Sequence, residues 1–149
     1  MNMFARLPRR PAFATALALL LFAALPQAAA AQGQPFIATP SATQITEAPV
    51  LLVDIRRPEE WRETGVLPNA RLITFESPAQ FLRDLAPHLQ PGQPVALICR
   101  TGNRTARAAE ILAPLLEQPV IDLGGGMFRL IAEGYQPERP TREAGCMIC

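Results

Sequence analysis

The stretch VALICRTGNRTARAAEILAPLL, residues 95–116, changes character twice within a few positions. Gln93 to Ile98 ends in an uninterrupted apolar run, the pattern of a strand covered on both faces. The run stops at Cys99. A turn follows that holds one glycine, Gly102, between Arg100 and Arg104, and a helical pattern then extends over 104–118 with Pro114 expected to disturb it. Strand, tight turn and helix in that order put Cys99 at the carboxyl end of a strand. In open parallel sheets that is where ligand sites lie.

The neighbouring segments repeat the alternation. VLLVDI, residues 50–55, and ARLITF, residues 70–75, read as strands, as does PVIDL at 119–123. PEEWRET, residues 58–64, has proline in its first turn and acids at its N-terminal end, both of which favour a helix start. SPAQFLRDLAPHL, residues 77–89, places Ser77 as N-cap and Pro78 at the first helical position. Its Phe81, Leu82, Leu85 and Leu89 share one face. GGGMFRLIAEGY, residues 124–135, reads as a glycine turn and a last helix. Short strands alternating with helices predict an α/β domain: a parallel sheet flanked by helices on both faces, joined by right-handed crossovers. The segment before Val50 carries Pro35, Pro40 and Pro49 among small and polar residues, and residues 32–44 are expected to be a linker.

The cysteine turn has chemical consequences. Backbone amides of residues 100–105 can curl into a nest around the sulfur, backed by a helix N-terminus, and Gly102 allows the backbone angles that such a curl needs. Donor amides and positive charge favour a thiolate nucleophile. Arg100 and Arg104 can hold an oxyanion. Thr101, Asn103 and Thr105 complete the candidate substrate-binding loop. Asp54, at the end of the first predicted strand, is expected to brace the loop or an arginine, with Arg56 beside it.

Cys99-Arg100-Thr101-Gly102-Asn103-Arg104-Thr105 resembles the active-site loop of the rhodanese-like single-domain sulfurtransferases. LLVDIRRPEEWRETGVLPNA is similar to the first signature of that family, with Asp54, Arg56, Glu59, Trp61, Gly65 and Ala70 in order. LGGGMFRLIAEGYQPERP is similar to its last signature, with Gly124 to Gly126, Gly134 and Tyr135. The resemblance covers residues 45–140 and implies a rhodanese-like fold. It also implies that Cys99 takes the outer sulfur of thiosulfate or another small anionic donor as a persulfide, which a thiol or thiol-protein acceptor then removes. No cofactor and no metal are implied. Four residues separate Cys99 from Arg104, whereas the related phosphatases have five, so the loop suits sulfur better than phosphate. The alternative function is a thiol-redox or non-catalytic binding module of the same fold.

Composition narrows the field further. All 14 basic residues are arginine, so Schiff-base and P-loop lysine chemistry is excluded. One histidine, His88, sits at the end of a helical pattern and cannot build a zinc site by itself. Residues 1–31 have a basic start, an apolar run from Ala12 to Leu25 and four alanines at 28–31, the anatomy of a signal peptide, and they predict a periplasmic or secreted protein. Three arginines belong to that leader. The remaining 11 face 13 acids, a net charge of −2, which is no footprint for nucleic acid. No stable membrane association is expected once the leader is removed. The C-terminal tail, residues 141–149, ends in Cys146-Met-Ile-Cys149. This pair is expected to be flexible, to close on itself more readily than on Cys99, and to be a candidate redox pair or sulfur acceptor near Cys99.

Overall fold

The computed structural model describes residues 33–149. The leader assigned to residues 1–31 lies outside the described residues. In chain order the elements are β1 (Phe36–Ala38), α1 (Ala42–Glu47), β2 (Leu51–Asp54), α2 (Pro58–Thr64), β3 (Arg71–Leu72), α3 (Pro78–Leu85) with a 3₁₀ turn at Ala86–His88, β4 (Val95–Ile98), α4 (Asn103–Leu112), β5 (Val120–Leu123) and α5 (Gly126–Ala132). The strands form one sheet in the order β1-β5-β4-β2-β3, and every pairing is parallel. This is the α/β architecture that the alternating pattern predicts.

Strand periodicity divides the core in two. Leu52, Ala96, Ile98 and Leu123 point to one face and join Trp61 of α2 with Met127 and Leu130 of α5. Val53, Val95, Leu97, Cys99 and Val120 point to the other, against Phe81 and Leu85 of α3 and Ala108, Ala109 and Leu112 of α4. A strand buried on both sides has no polar face to show, which is why β2 and β4 read as unbroken apolar runs. Among the described residues, no helix is long and apolar enough to cross a membrane.

Three expectations need correction. Residues 32–44 are not a linker throughout: Phe36, Ile37 and Ala38 pair with Ile121, Asp122 and Leu123 to make the edge strand. Ser41 then caps α1, accepting a bond from the Gln44 amide while the Gln44 side chain accepts one from the Ser41 amide. Three apolar residues between prolines are too few to signal a strand locally, and β5 supplies the template. The helix predicted over 104–118 ends at Leu112: Ala113 keeps helical angles and bonds back to Ala109 O, but Pro114 has no N–H with which to continue the ladder.

The tail is not loose either. The Leu72 amide donates to Ala144 O at 2.7 Å, and Arg71 donates to Glu143 O at 3.1 Å. Cys146 is fully buried in the core layer of Trp61 and Leu72 and is disulfide-bonded to Cys149. The pairing within the tail follows from its short loop, but the docking on β3 does not follow from the sequence spacing.

Among the described residues, one ionic contact lies inside the apolar layers. Asp54 and Arg56 have no solvent exposure, and their side chains meet at 2.7–3.0 Å through Nε and Nη2. Arg56 spends its remaining donors on Glu60 O, Thr64 Oγ1 and Gly65 O, tying both ends of α2 to the end of β2. A buried charge is tolerated only when its partners are complete. Asp54→Asn leaves the guanidinium uncompensated and should destabilise the domain by about 3–5 kcal/mol in urea unfolding; a loss below about 1 kcal/mol would mean that the pair does not organise this corner.

Candidate active site

The site begins with the carboxyl end of β4. Cys99 follows Ile98, and its side chain points into the layer beneath α3 and α4, where the residue is fully buried. The chain then reverses through Gly102, which adopts φ +90° and serves as N-cap of α4. A left-handed residue lets the backbone reverse within the few residues between Cys99 and the helix start at Asn103. As a result, the Gly102 amide points back at Cys99 Sγ at 3.2 Å. Thr105 Oγ1 lies 3.6 Å from the same sulfur and 2.9 Å from Gly102 O. Its single proton serves one of these two acceptors at a time. The amides of Asn103 to Thr105 open α4 and have no acceptor within the helix.

A second turn supports the first from outside. The Met127 amide donates to Cys99 O at 2.9 Å and the Phe128 amide to Arg100 O at 3.0 Å. So the N-terminus of α5 holds the two carbonyls at the start of the cysteine loop. Backbones can approach this closely only without side chains. A Cβ on Gly126 would stand 2.3 Å from Cys99 O, and one on Gly102 would stand 2.8 Å from the Gly125 amide nitrogen. The three glycines at 124–126, read from sequence only as a turn, form the platform for the loop.

The arginines are placed differently from the expectation. Arg104 is not an open arm for an anion: its Nη1 and Nη2 donate to Glu60 Oε2 and Oε1 at 2.8 and 2.6 Å. Burial pushes the Glu60 carboxyl up, but the bonds from Arg104 and the Arg57 amide, together with the nearby Arg104 and Arg56 charges, outweigh it and hold the carboxyl below its usual range. The same bond to Glu60 pushes the Arg104 guanidinium up against the effect of its own burial. Arg100 lies over the Phe128 ring, 4.5 Å from its centroid. Thr101 and Asn103 are exposed on the rim of the loop.

Asp54 does not touch the loop. It completes Arg56, and Arg56 fixes α2. That makes its support indirect, through the helix that presents Glu60. Cys146 and Cys149 are not brought to the sulfur either: Cys146 packs beneath the opposite face of the sheet from Cys99. Glu60 and Phe128 are the site residues that sequence reasoning missed. Glu60 looked like an ordinary acid in a first helical turn, and it is 44 positions from its partner. His88 ends the 3₁₀ turn after α3 and lines a pocket beside the tail, with Met147 and Ile148.

The model of the rhodanese-like domain matches residues 41–133. No curated protein matches the chain significantly. Among solved structures, a protein of unknown function from Rhodopseudomonas palustris CGA009, described as a possible tyrosine phosphatase, is 24% identical with a TM-score of 0.54. The alignment covers 68% of this chain and 85% of that one. A rhodanese-like domain protein from Staphylococcus aureus is 22% identical with a TM-score of 0.49, over 65% of this chain and 90% of that one.

The platform makes a steric prediction. Gly92 also has positive φ, but nothing lies within 4 Å of a Cβ placed there. Gly92→Ala should cost about 1–2 kcal/mol for the backbone conformation alone, and Gly126→Ala clearly more in the same urea titration, because its methyl meets the Cys99 carbonyl. Equal losses would show that backbone angle, and not the close approach, is what requires glycine at 126.

Proposed function

Because the chain belongs to the rhodanese-like domain family, we propose that it is a sulfurtransferase that carries sulfane sulfur as a persulfide on Cys99. The observation that carries this reading is the Gly102 amide 3.2 Å from Cys99 Sγ, at the mouth of a helix whose first amides have no other acceptor. A group of this kind stabilises negative charge on sulfur before and after the transfer.

The reaction runs in two steps. The Cys99 thiolate attacks the outer sulfur of the donor, the donor's own bond to that sulfur breaks, and the leaving group departs with the electron pair: sulfite from thiosulfate, a thiolate from a persulfide. Cys99 is left as a persulfide. A thiolate acceptor then attacks the terminal sulfur, and Cys99 leaves as thiolate. No net oxidant is needed. Thr105 can turn its hydroxyl from Gly102 O to the sulfur as charge builds there. In this reading the amides from Gly102 to Thr105 receive the second sulfur atom.

Phosphate-ester hydrolysis fits less well. The loop has four residues between Cys99 and Arg104, and Glu60 already occupies the guanidinium that would take a phosphate. The leader sequence supports a periplasmic or secreted setting, where a small-molecule or protein thiol is the natural acceptor.

Incubating the purified protein with thiosulfate or a low-molecular-weight hydropersulfide should add about 32 mass units, one sulfur atom, as read by intact mass spectrometry. A thiol should remove the adduct, and Cys99→Ser should abolish it together with transfer activity. An adduct that persists in Cys99→Ser, or its absence with both donors in the unmodified protein, would rule out Cys99 as the carrier.

A further inference from the structure

Arg104 borders a cleft of about 670 Å³ whose apolar lining residues are Ile55, Pro58 and Phe75. Its charged residues are Arg57, Glu59, Glu76 and Arg104. Arg104 is tied to Glu60 by two charge-assisted bonds, so the local charges are two arginines against three glutamates. Arg100, on the other flank over Phe128, brings the surroundings of the loop only to neutrality. A doubly charged oxoanion entering here finds Arg104 already neutralised and two further carboxylates, Glu59 and Glu76, at the wall. A hydropersulfide, with one negative charge at most, meets the same carboxylates with less repulsion.

Resting on the reading of Cys99 as sulfur carrier, we propose that Glu60 determines donor specificity: by taking up the Arg104 guanidinium it turns the site away from dianionic donors such as thiosulfate and towards the hydropersulfide of a thiol. Glu60 acts through Arg104 and is a positioning residue. Its own placement is over-determined. The Arg57 amide donates to Glu60 Oε2 at 3.0 Å, and Arg56 donates to the Glu60 carbonyl at 3.3 Å. Arg56 is locked in turn by Asp54. The clamp is thus held from its own helix, so a donor has to compete with a preorganised carboxylate for Arg104. In the favoured step the Cys99 thiolate attacks the outer sulfur of R–S–SH, the donor's S–S bond breaks, and R–S⁻ leaves with the pair, giving Cys99–S–SH. A hydropersulfide carries at most one negative charge where thiosulfate carries two.

The test measures second-order rates of Cys99 persulfidation by intact mass, with thiosulfate and with the hydropersulfide of 2-mercaptoethanol. Glu60→Gln should raise the ratio of thiosulfate rate to hydropersulfide rate about tenfold, the scale of one freed charge-assisted bond. Adding Arg104→Ala should remove that gain. A ratio unmoved by Glu60→Gln, or a gain that survives without Arg104, overturns the proposal. A measurement on the unmodified protein guards against misfolded variants. Its thiosulfate rate should hold or rise when salt increases from about 0.05 M to about 0.5 M, since there is no net attraction to screen; a steep fall would show that the mouth attracts dianions and would equally overturn it. If neither donor modifies Cys99 in any of these proteins, the sulfur-carrier reading itself fails, a result distinct from an unmoved ratio.

Discussion

The constraint on which the site depends is a contact between two turns with no side chain between them. Cys99 O and Arg100 O accept from the Met127 and Phe128 amides, and a methyl group at residue 126 would collide with the first of these carbonyls. Parallel pairing of β4 with β5 brings the two strand ends together, but adjacency alone does not shape a loop. The bonds to α5 fix where the cysteine loop leaves the sheet. Gly102 then fixes where it enters α4, and between those two points the sulfur has one place to be. The order Cys-x-x-Gly on one strand end and Gly-Gly-Gly on the next is a single device split across two segments of sequence.

Charge is organised by a second chain of contacts, starting in the core. Asp54 neutralises Arg56, Arg56 pins α2, α2 presents Glu60, and Glu60 holds Arg104 at the edge of the loop. The inner pair is fully buried and the outer pair partly exposed, Arg104 at 41% and Glu60 at 15%. Removing solvent strengthens the inner contact and makes its loss costly, whereas the outer one is partly screened by solvent.

The backbone of this account was legible in the sequence where the physics is local. Apolar runs gave β2 and β4, each one or two residues longer than the strand found, proline and acids at the helix start gave α2 with its bounds, and Ser77 with Pro78 gave the cap and start of α3. Cys99 at a strand end beside Gly102 was readable for the same reason. What was not legible depends on distant partners. β1 is ordered by β5, the tail by β3, and Arg104 by a glutamate 44 positions away. A basic residue next to a cysteine looks available for substrate until the structure shows what already holds it.

The central claim is that the two turns hold the Cys99 sulfur where the first amides of α4 can receive one more sulfur atom. A crystal structure of the protein after exposure to a sulfane-sulfur donor tests it directly. The account predicts electron density for one atom beyond Cys99 Sγ, within hydrogen-bonding distance of amides between Gly102 and Thr105, with the Met127–Cys99 and Phe128–Arg100 bonds intact. A terminal sulfur that points away from those amides, or a loop that has to leave the α5 platform to accommodate it, would contradict the account.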